Sequence, residues 1–147
     1  MPKFMKMLNN ISRSQSVFRT ERLEVEGLCA AHHTFILAVC RMAGCSQEEL
    51  AKEICLNKST VARALTQLEE RGYVRREASR EDKRRLLVYP TDKMLEILPR
   101  VRAVAQEWND LISEGIPDGE LEVFYSVLAR MEERAKRATS NQEGEQK

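Results

Sequence analysis

Arg80, Lys83, Arg84 and Arg85 crowd into six consecutive positions, with Glu81 and Asp82 as the acids among them. Like charges held this close repel one another, so a polyanion outside the chain is the natural partner of such a loop. Phosphate fits the residue types: guanidinium offers a planar fork of donors and lysine a compact point charge. Asp82, two residues before Arg84, is placed to pair with that guanidinium or a neighbouring one and hold the loop in shape. A second group lies upstream, where Lys58, Ser59, Thr60, Arg63, Thr66 and Gln67 face away from an apolar stripe of Val61, Leu65 and Leu68. Hydroxyls and free amides in the first turn of a helix suit phosphate oxygens. Arg63 and Gln67 are long enough to touch base edges in a major groove.

A third candidate is the stretch EVEGLCAAHH, which gathers Glu24, Glu26, Cys29, His32 and His33 at a helix junction. Cys29 lies three and four positions before the two histidines, a spacing that can hold zinc. A helix N-terminus at Cys29 could also lower the thiol pKa and make a redox switch. Against both, the chain has only two histidines, and Cys29, Cys40, Cys45 and Cys55 contain no CxxC pair. The cysteines therefore read as reduced, partly buried small hydrophobes, and neither metal nor cofactor is expected. There is no glycine-rich phosphate loop, no nucleophile motif and no His–carboxylate set outside this junction, so an enzyme is not expected.

The elements that must position these groups follow from periodicity. At 147 residues the chain suits one domain with a real core. No apolar run approaches the roughly 20 residues that span a bilayer, and the N-terminus lacks the pattern of a secretory signal. A cytoplasmic protein with no membrane partner is the expectation. Phe4, Leu8, Ile11, Phe18 and Val25 predict an amphipathic helix that Gly27 breaks, and Leu28 to Met42 a second one ending at Gly44. Ser46 and Glu49 have the spacing of a capping box, opening a short helix over 47–54. Asn57 caps the next, which Gly72 stops. Two short strands, Tyr73–Glu77 and Leu86–Tyr89, flank the basic loop, and Thr91 opens a long helix with the seam Met94, Leu98, Val101, Ala105, Trp108 and Ile112. A turn at 115–119 leads to a last helix striped by Leu121, Phe124, Leu128, Met131 and Ala135, and residues 139–147 read as a disordered tail.

Two helices joined by a tight turn and followed by a hairpin make a winged helix-turn-helix. The fold class is thus mainly α with a small β-hairpin wing. The expected divisions are an N-terminal dimerisation helix (1–26), the winged domain (27–90), C-terminal dimerisation helices (91–138) and the tail. Charge agrees: residues 57–85 carry nine bases against five acids, a local +4, in a chain of net +1. The loop tip would lie in the narrow, negative minor groove and the second helix in the major groove. The apolar stripes of the terminal helices exceed what one small domain can cover, which predicts a homodimer. The competing reading is a winged-helix adaptor that binds protein and never DNA.

The stretch LAKEICLNKSTVARALTQLEERGYVRREASREDKRRLLVYPT resembles the MarR family of bacterial regulators. The matching positions are Leu50-Ala51, Thr60-Val61, Leu68-Glu69, Gly72-Tyr73-Val74, Arg76, Asp82, Arg84 and Thr91. The resemblance implies an obligate homodimer on a pseudo-palindromic double-stranded operator, usually as a repressor, with Arg84 as the minor-groove arginine. It also implies a small-molecule effector held near the first, second and fifth helices, for which His32, His33, Phe35 and Trp108 are the candidate walls. The chain departs from the family pattern at Met94, where glycine is usual, and at His32 or His33, where glutamine is usual. The second departure falls where effectors bind, so the ligand itself does not carry over.

Overall fold

A computed structural model of the protein describes residues 2–140. In chain order the elements are α1 (Pro2–Leu23), a 3-10 turn (Glu24–Glu26), α2 (Ala30–Arg41), β1 (Cys45–Ser46), α3 (Gln47–Glu53) and α4 (Lys58–Glu70). β2 (Val74–Ala78), β3 (Leu86–Pro90), α5 (Asp92–Ser113) and α6 (Asp118–Ser140) complete it. The chain divides into two compact units, Met1–Trp108 and Asn109–Lys147, with the boundary inside α5.

Local chemistry sets the ends of the elements in the first unit. Gly27 takes φ 65°, a left-handed turn that closes the 3-10 segment, and Gly72 does the same after α4 at φ 78°. Ser46 Oγ accepts from the Glu49 amide at 3.2 Å, while the Glu49 carboxylate accepts from the Ser46 amide at 2.7 Å. The capping box expected from the spacing is therefore complete. Asn57 Oδ1 accepts from the Thr60 amide at 2.8 Å, and Thr91 Oγ1 accepts from Met94 N at 3.3 Å while lying 2.6 Å from the Gly72 carbonyl. Thr91 thus fixes the start of α5 to the end of α4.

In the first unit, α1 to α5 and the sheet bury a common core that includes Leu23, Phe35, Ile36, Leu50, Val61, Leu65, Leu68, Met94 and Val101. The sheet has the order β1-β3-β2, antiparallel throughout. Val88, at its centre, pairs with Cys45 on one side and Arg76 on the other and is fully buried. The hairpin follows the expected course within a residue at each end. β1 was not expected, because two residues are too few to show alternation. Trp108 packs its ring 5.3 Å from Phe18, and Arg22 of α1 grips Glu107 of α5 through three hydrogen bonds of 2.9–3.1 Å.

The second unit is the end of α5, a turn and α6. Leu111, Ile112, Ile116, Val123, Phe124, Tyr125 and Val127 are all exposed there. Leu121, Leu128 and Met131, expected to face inward, are only half-buried, and Ala135 is exposed. Of the tail expected over 139–147, Thr139 and Ser140 close α6, and residues 141–147 lie outside the described residues.

His33 is fully buried, with Nε2 donating to the Val101 carbonyl at 3.1 Å and Nδ1 without a partner. Burial above all, and then the nearby Arg19 guanidinium, push its pKa down from 6.5 to about 4. An unfolded chain therefore takes up this proton near pH 6.5, whereas the native one resists until about pH 4. Within that window the unfolded state binds more protons, so stability falls as the pH is lowered, by at most about 1.4 kcal/mol per pH unit from this group. Denaturant unfolding between pH 7 and 4.5 should show this loss. In His33→Gln the slope should be shallower, whatever the change in absolute stability.

Candidate nucleic-acid interface

The six outward residues of α4 separate into two sets. Lys58, Ser59 and Arg63 are exposed and Thr60 is half-buried, all in the first two turns. Ser59 Oγ donates to Asn57 Oδ1 at 2.9 Å, so its hydroxyl supports the cap. Lys58 and Arg63 form no ion pair among the described residues. Thr66 and Gln67, one turn further on, are exposed but tied to the protein. Thr66 Oγ1 donates to the Ala62 carbonyl at 2.9 Å and accepts from Arg76 at 3.1 Å. Gln67 Oε1 lies 3.4 Å from His32 Nε2.

The wing is the β2–β3 hairpin, in register from Val74↔Pro90 to Ala78↔Leu86. Its tip is closed by backbone bonds, from the Ser79 amide to the Arg85 carbonyl at 2.8 Å and from the Arg85 amide to the Asp82 carbonyl at 2.9 Å. Asp82 does hold the tip, but through a different bond from the one expected. Its Oδ1 accepts from the Arg84 backbone amide at 3.0 Å, and no guanidinium pairs with it among the described residues. A carboxylate two residues upstream closes such an Asx turn more readily than it can follow a long side chain into solvent. The Arg84 guanidinium is left free to point outward.

Arg80, Lys83 and Arg84 are exposed and form no ion pair among the described residues. Arg85 departs from them, with its guanidinium 3.7 Å from Glu49 at the start of α3. The Glu49 carboxyl is held below the usual carboxylate range, first by the Ser46 amide and hydroxyl and then by Arg85. The crowding at the tip is thus relieved at one of its four cations.

Arg76 of β2 is the residue that spacing alone did not single out as functional. Its side chain is only 15% exposed and serves three neighbours at once. Nη2 and Nε donate to Glu69 Oε2 at 2.7 and 3.1 Å, Nη1 to Gln47 Oε1 at 3.1 Å, and Nη2 also to Thr66 Oγ1 at 3.1 Å. Glu69 Oε1 in turn accepts from the Arg76 backbone amide at 2.9 Å. These hydrogen bonds hold the Glu69 carboxyl below its ordinary range despite partial burial. The sequence signalled it only through the family pattern, in which Arg76 is one of the matching positions.

The junction between α1 and α2 is bound to the far end of α4. Arg71 donates to the Gly27 carbonyl, Tyr73 Oη donates to the Glu26 carbonyl at 3.2 Å, and His32 faces Gln67. His32 Nδ1 accepts from the Cys29 amide at 3.3 Å and lies 3.5 Å from Cys29 Sγ, completing a Cys–His capping box at the start of α2. Burial holds the His32 pKa below its usual value, with Gln67 opposing and Arg71 adding to the shift. No group of three or more His, Cys, Asp or Glu side chains able to hold a metal occurs among the described residues. Of the candidate effector walls, His32, His33, Phe35 and Trp108 are all buried, with His33 and Phe35 deep in the core. Two surface clefts lie elsewhere, one at the wing base beside Tyr89 and Glu49, the other bounded by Glu26, Tyr73, Lys93 and Arg100. Neither is lined by any of the four. A stripe on an amphipathic helix does not reveal whether it faces a cavity or packed side chains.

Helix-turn-helix, three-stranded wing and flanking helices together define a winged helix-turn-helix protein. The sequence pattern of the MarR family matches residues 26–85. A crystal structure of MarR superposes with a TM-score of 0.82 at 32% identity, over 93% of this chain and 93% of that one. A MarR family transcriptional regulator from Listeria monocytogenes, solved in complex with a 26mer DNA, superposes with a TM-score of 0.89 over 97% of this chain and 95% of that one. Its identity is 18%, so this likeness is one of fold. The HTH-type transcriptional regulator BilQ of Clostridium symbiosum is 23% identical over 116 residues, 79% of this chain and 81% of that protein. The chain belongs to the MarR family of winged helix-turn-helix regulators.

Proposed function

We propose that the protein is a sequence-specific regulator that binds double-stranded DNA as a homodimer on a pseudo-palindromic operator, represses transcription there, and is released by a small-molecule effector. The observation that carries this reading is the set of exposed cations without ion-pair partners among the described residues: Lys58 and Arg63 at the start of α4, and Arg80, Lys83 and Arg84 at the wing tip. The two clusters suit the two grooves of a duplex. The first turns of α4 present hydroxyls, amides and Arg63 to a major groove, and Arg84 extends from a closed turn towards a minor groove. The family's listerial relative, with the same fold, was solved on DNA. The protein is read as a binding module and not an enzyme, in keeping with the regulators it resembles. No described helix is long and apolar enough to cross a membrane, and a cytoplasmic regulator fits that.

The dimer rests on exposed apolar surface. Met5, Met7, Leu8 and Ile11 on α1, and Val123, Phe124 and Tyr125 on α6, face solvent in one chain. Apolar surface of this extent is covered by a partner in stable proteins. A second copy would set two copies of α4 roughly 34 Å apart, one turn of duplex. Effector release would reach α4 through the Arg71, Tyr73 and His32 contacts with the α1–α2 junction.

The deciding measurement is the salt dependence of duplex binding. With about six phosphate contacts, log affinity against log salt should fall with a slope near −0.9 per contact, about −5 overall. A protein-only adaptor would show almost no retention on duplex at low salt. Arg84→Ala should weaken operator binding by roughly 1–3 kcal/mol, and parental affinity in that variant would remove the wing from the mechanism. Leu128→Glu should yield monomers by light scattering and poor operator affinity; a dimer of unchanged mass would show that α6 is not the seam.

A further inference from the structure

Two separate surfaces read the duplex in the proposed function, one on α4 and one on the β2–β3 wing. α4 and the wing are joined by the short 71–73 turn, from which β2 starts at Val74. Three of the elements involved send a group to one point. Gln47 comes from the first position of α3, Thr66 and Glu69 from the outer half of α4, and Arg76 from the middle of β2. The Arg76 side chain is 15% exposed there, beside Glu69 at 38% and an exposed Thr66.

We propose that Arg76 is the positioning residue of the interface, locking the wing to the reading helix so that both grooves are engaged together. This rests on the DNA-binding reading above. The chemistry requires arginine. Its planar fork serves a carboxylate, an amide oxygen and a hydroxyl at once, in fixed directions. A lysine can keep the charge and the Glu69 pair, but its single nitrogen cannot span three acceptors on two helices. The lock also converts two weak contacts into one. Arg84 at the tip and Arg63 on α4 bind as linked modules, and rigidity between them raises the effective concentration of the second once the first is seated. Phosphate attraction alone needs no such rigidity, because any cation near the duplex releases counterions. Arg76 therefore acts on discrimination between operator and random DNA more than on DNA affinity as such. Thr66, exposed and bonded to Arg76, serves the same lock.

The test compares operator and random-sequence duplex binding for the full chain and for Arg76→Lys, Gln47→Leu and the double variant, with thermal unfolding as a control for folding. Gln47→Leu removes one acceptor at the rim of the site and leaves the Arg76–Glu69 pair, so it keeps the test open if Arg76→Lys folds poorly. Arg76→Lys and Gln47→Leu should each lower operator affinity by about tenfold or more while random-duplex affinity and its salt slope stay within about twofold. The double variant should lose little beyond Arg76→Lys, because the two act through one lock. A folded Gln47→Leu or Arg76→Lys protein with the parent's operator-to-random ratio, or one in which both affinities fall together, would overturn the assignment. A parent protein that shows no salt-dependent duplex binding would instead sink the regulator reading itself, and the lock with it.

Discussion

The Arg76 guanidinium satisfies a carboxylate and a hydroxyl of α4 and a side-chain amide of α3, with its own side chain only 15% exposed. Burying a cation is costly unless every donor finds a partner. Once it is buried, the positions of those partners are no longer independent. The start of α3, the C-terminal half of α4 and the middle of β2 meet at that point. Around this junction the remaining design is simple: an apolar core beneath, and exposed cations above.

Those cations divide by what surrounds them. At the wing tip a turn of backbone hydrogen bonds, closed by Asp82 on the Arg84 amide, holds the chain still without neutralising the side chains it carries. On α4 the cap formed by Asn57 performs the same service for the first turn. In both places a polar side chain stabilises backbone and leaves positive charge to the solvent. Only Arg85 is drawn back, to Glu49, which ties the wing to the same capping box that begins α3. A molecule that kept all its cations paired would have nothing left to exchange for phosphate.

The α1–α2 junction is the other organising point. Its backbone carbonyls at Glu26 and Gly27 receive Tyr73 and Arg71, and His32 meets Gln67, so the far end of α4 is held by groups that also begin α2. Cys29 and His32, whose spacing suggested zinc or a redox switch, are employed in capping α2. His33 and Phe35, candidate walls for an effector, are packed into the core. Periodicity has no means of telling packed interior from a lined cavity.

Elements governed by neighbours a few residues away are legible in the sequence. Ser46 and Glu49 close a box three positions apart, Asn57 caps its own helix, Gly27 and Gly72 turn where only glycine turns without strain, and the paired strands around the basic loop announce the wing. The residue types and spacings in 50–91 likewise carried the family resemblance. Tertiary structure decided what depends on the path of the chain between distant positions. Gln47 and Arg76 are 29 residues apart and Tyr73 lies 47 from Glu26, so no local pattern could join them. Nor could a helical wheel show that Thr66 and Gln67 are claimed by the protein while Lys58 and Arg63 are not. The physical reason is one of range: helix and turn preferences act within about four residues, whereas a buried charge takes whatever partners the folded chain brings to it.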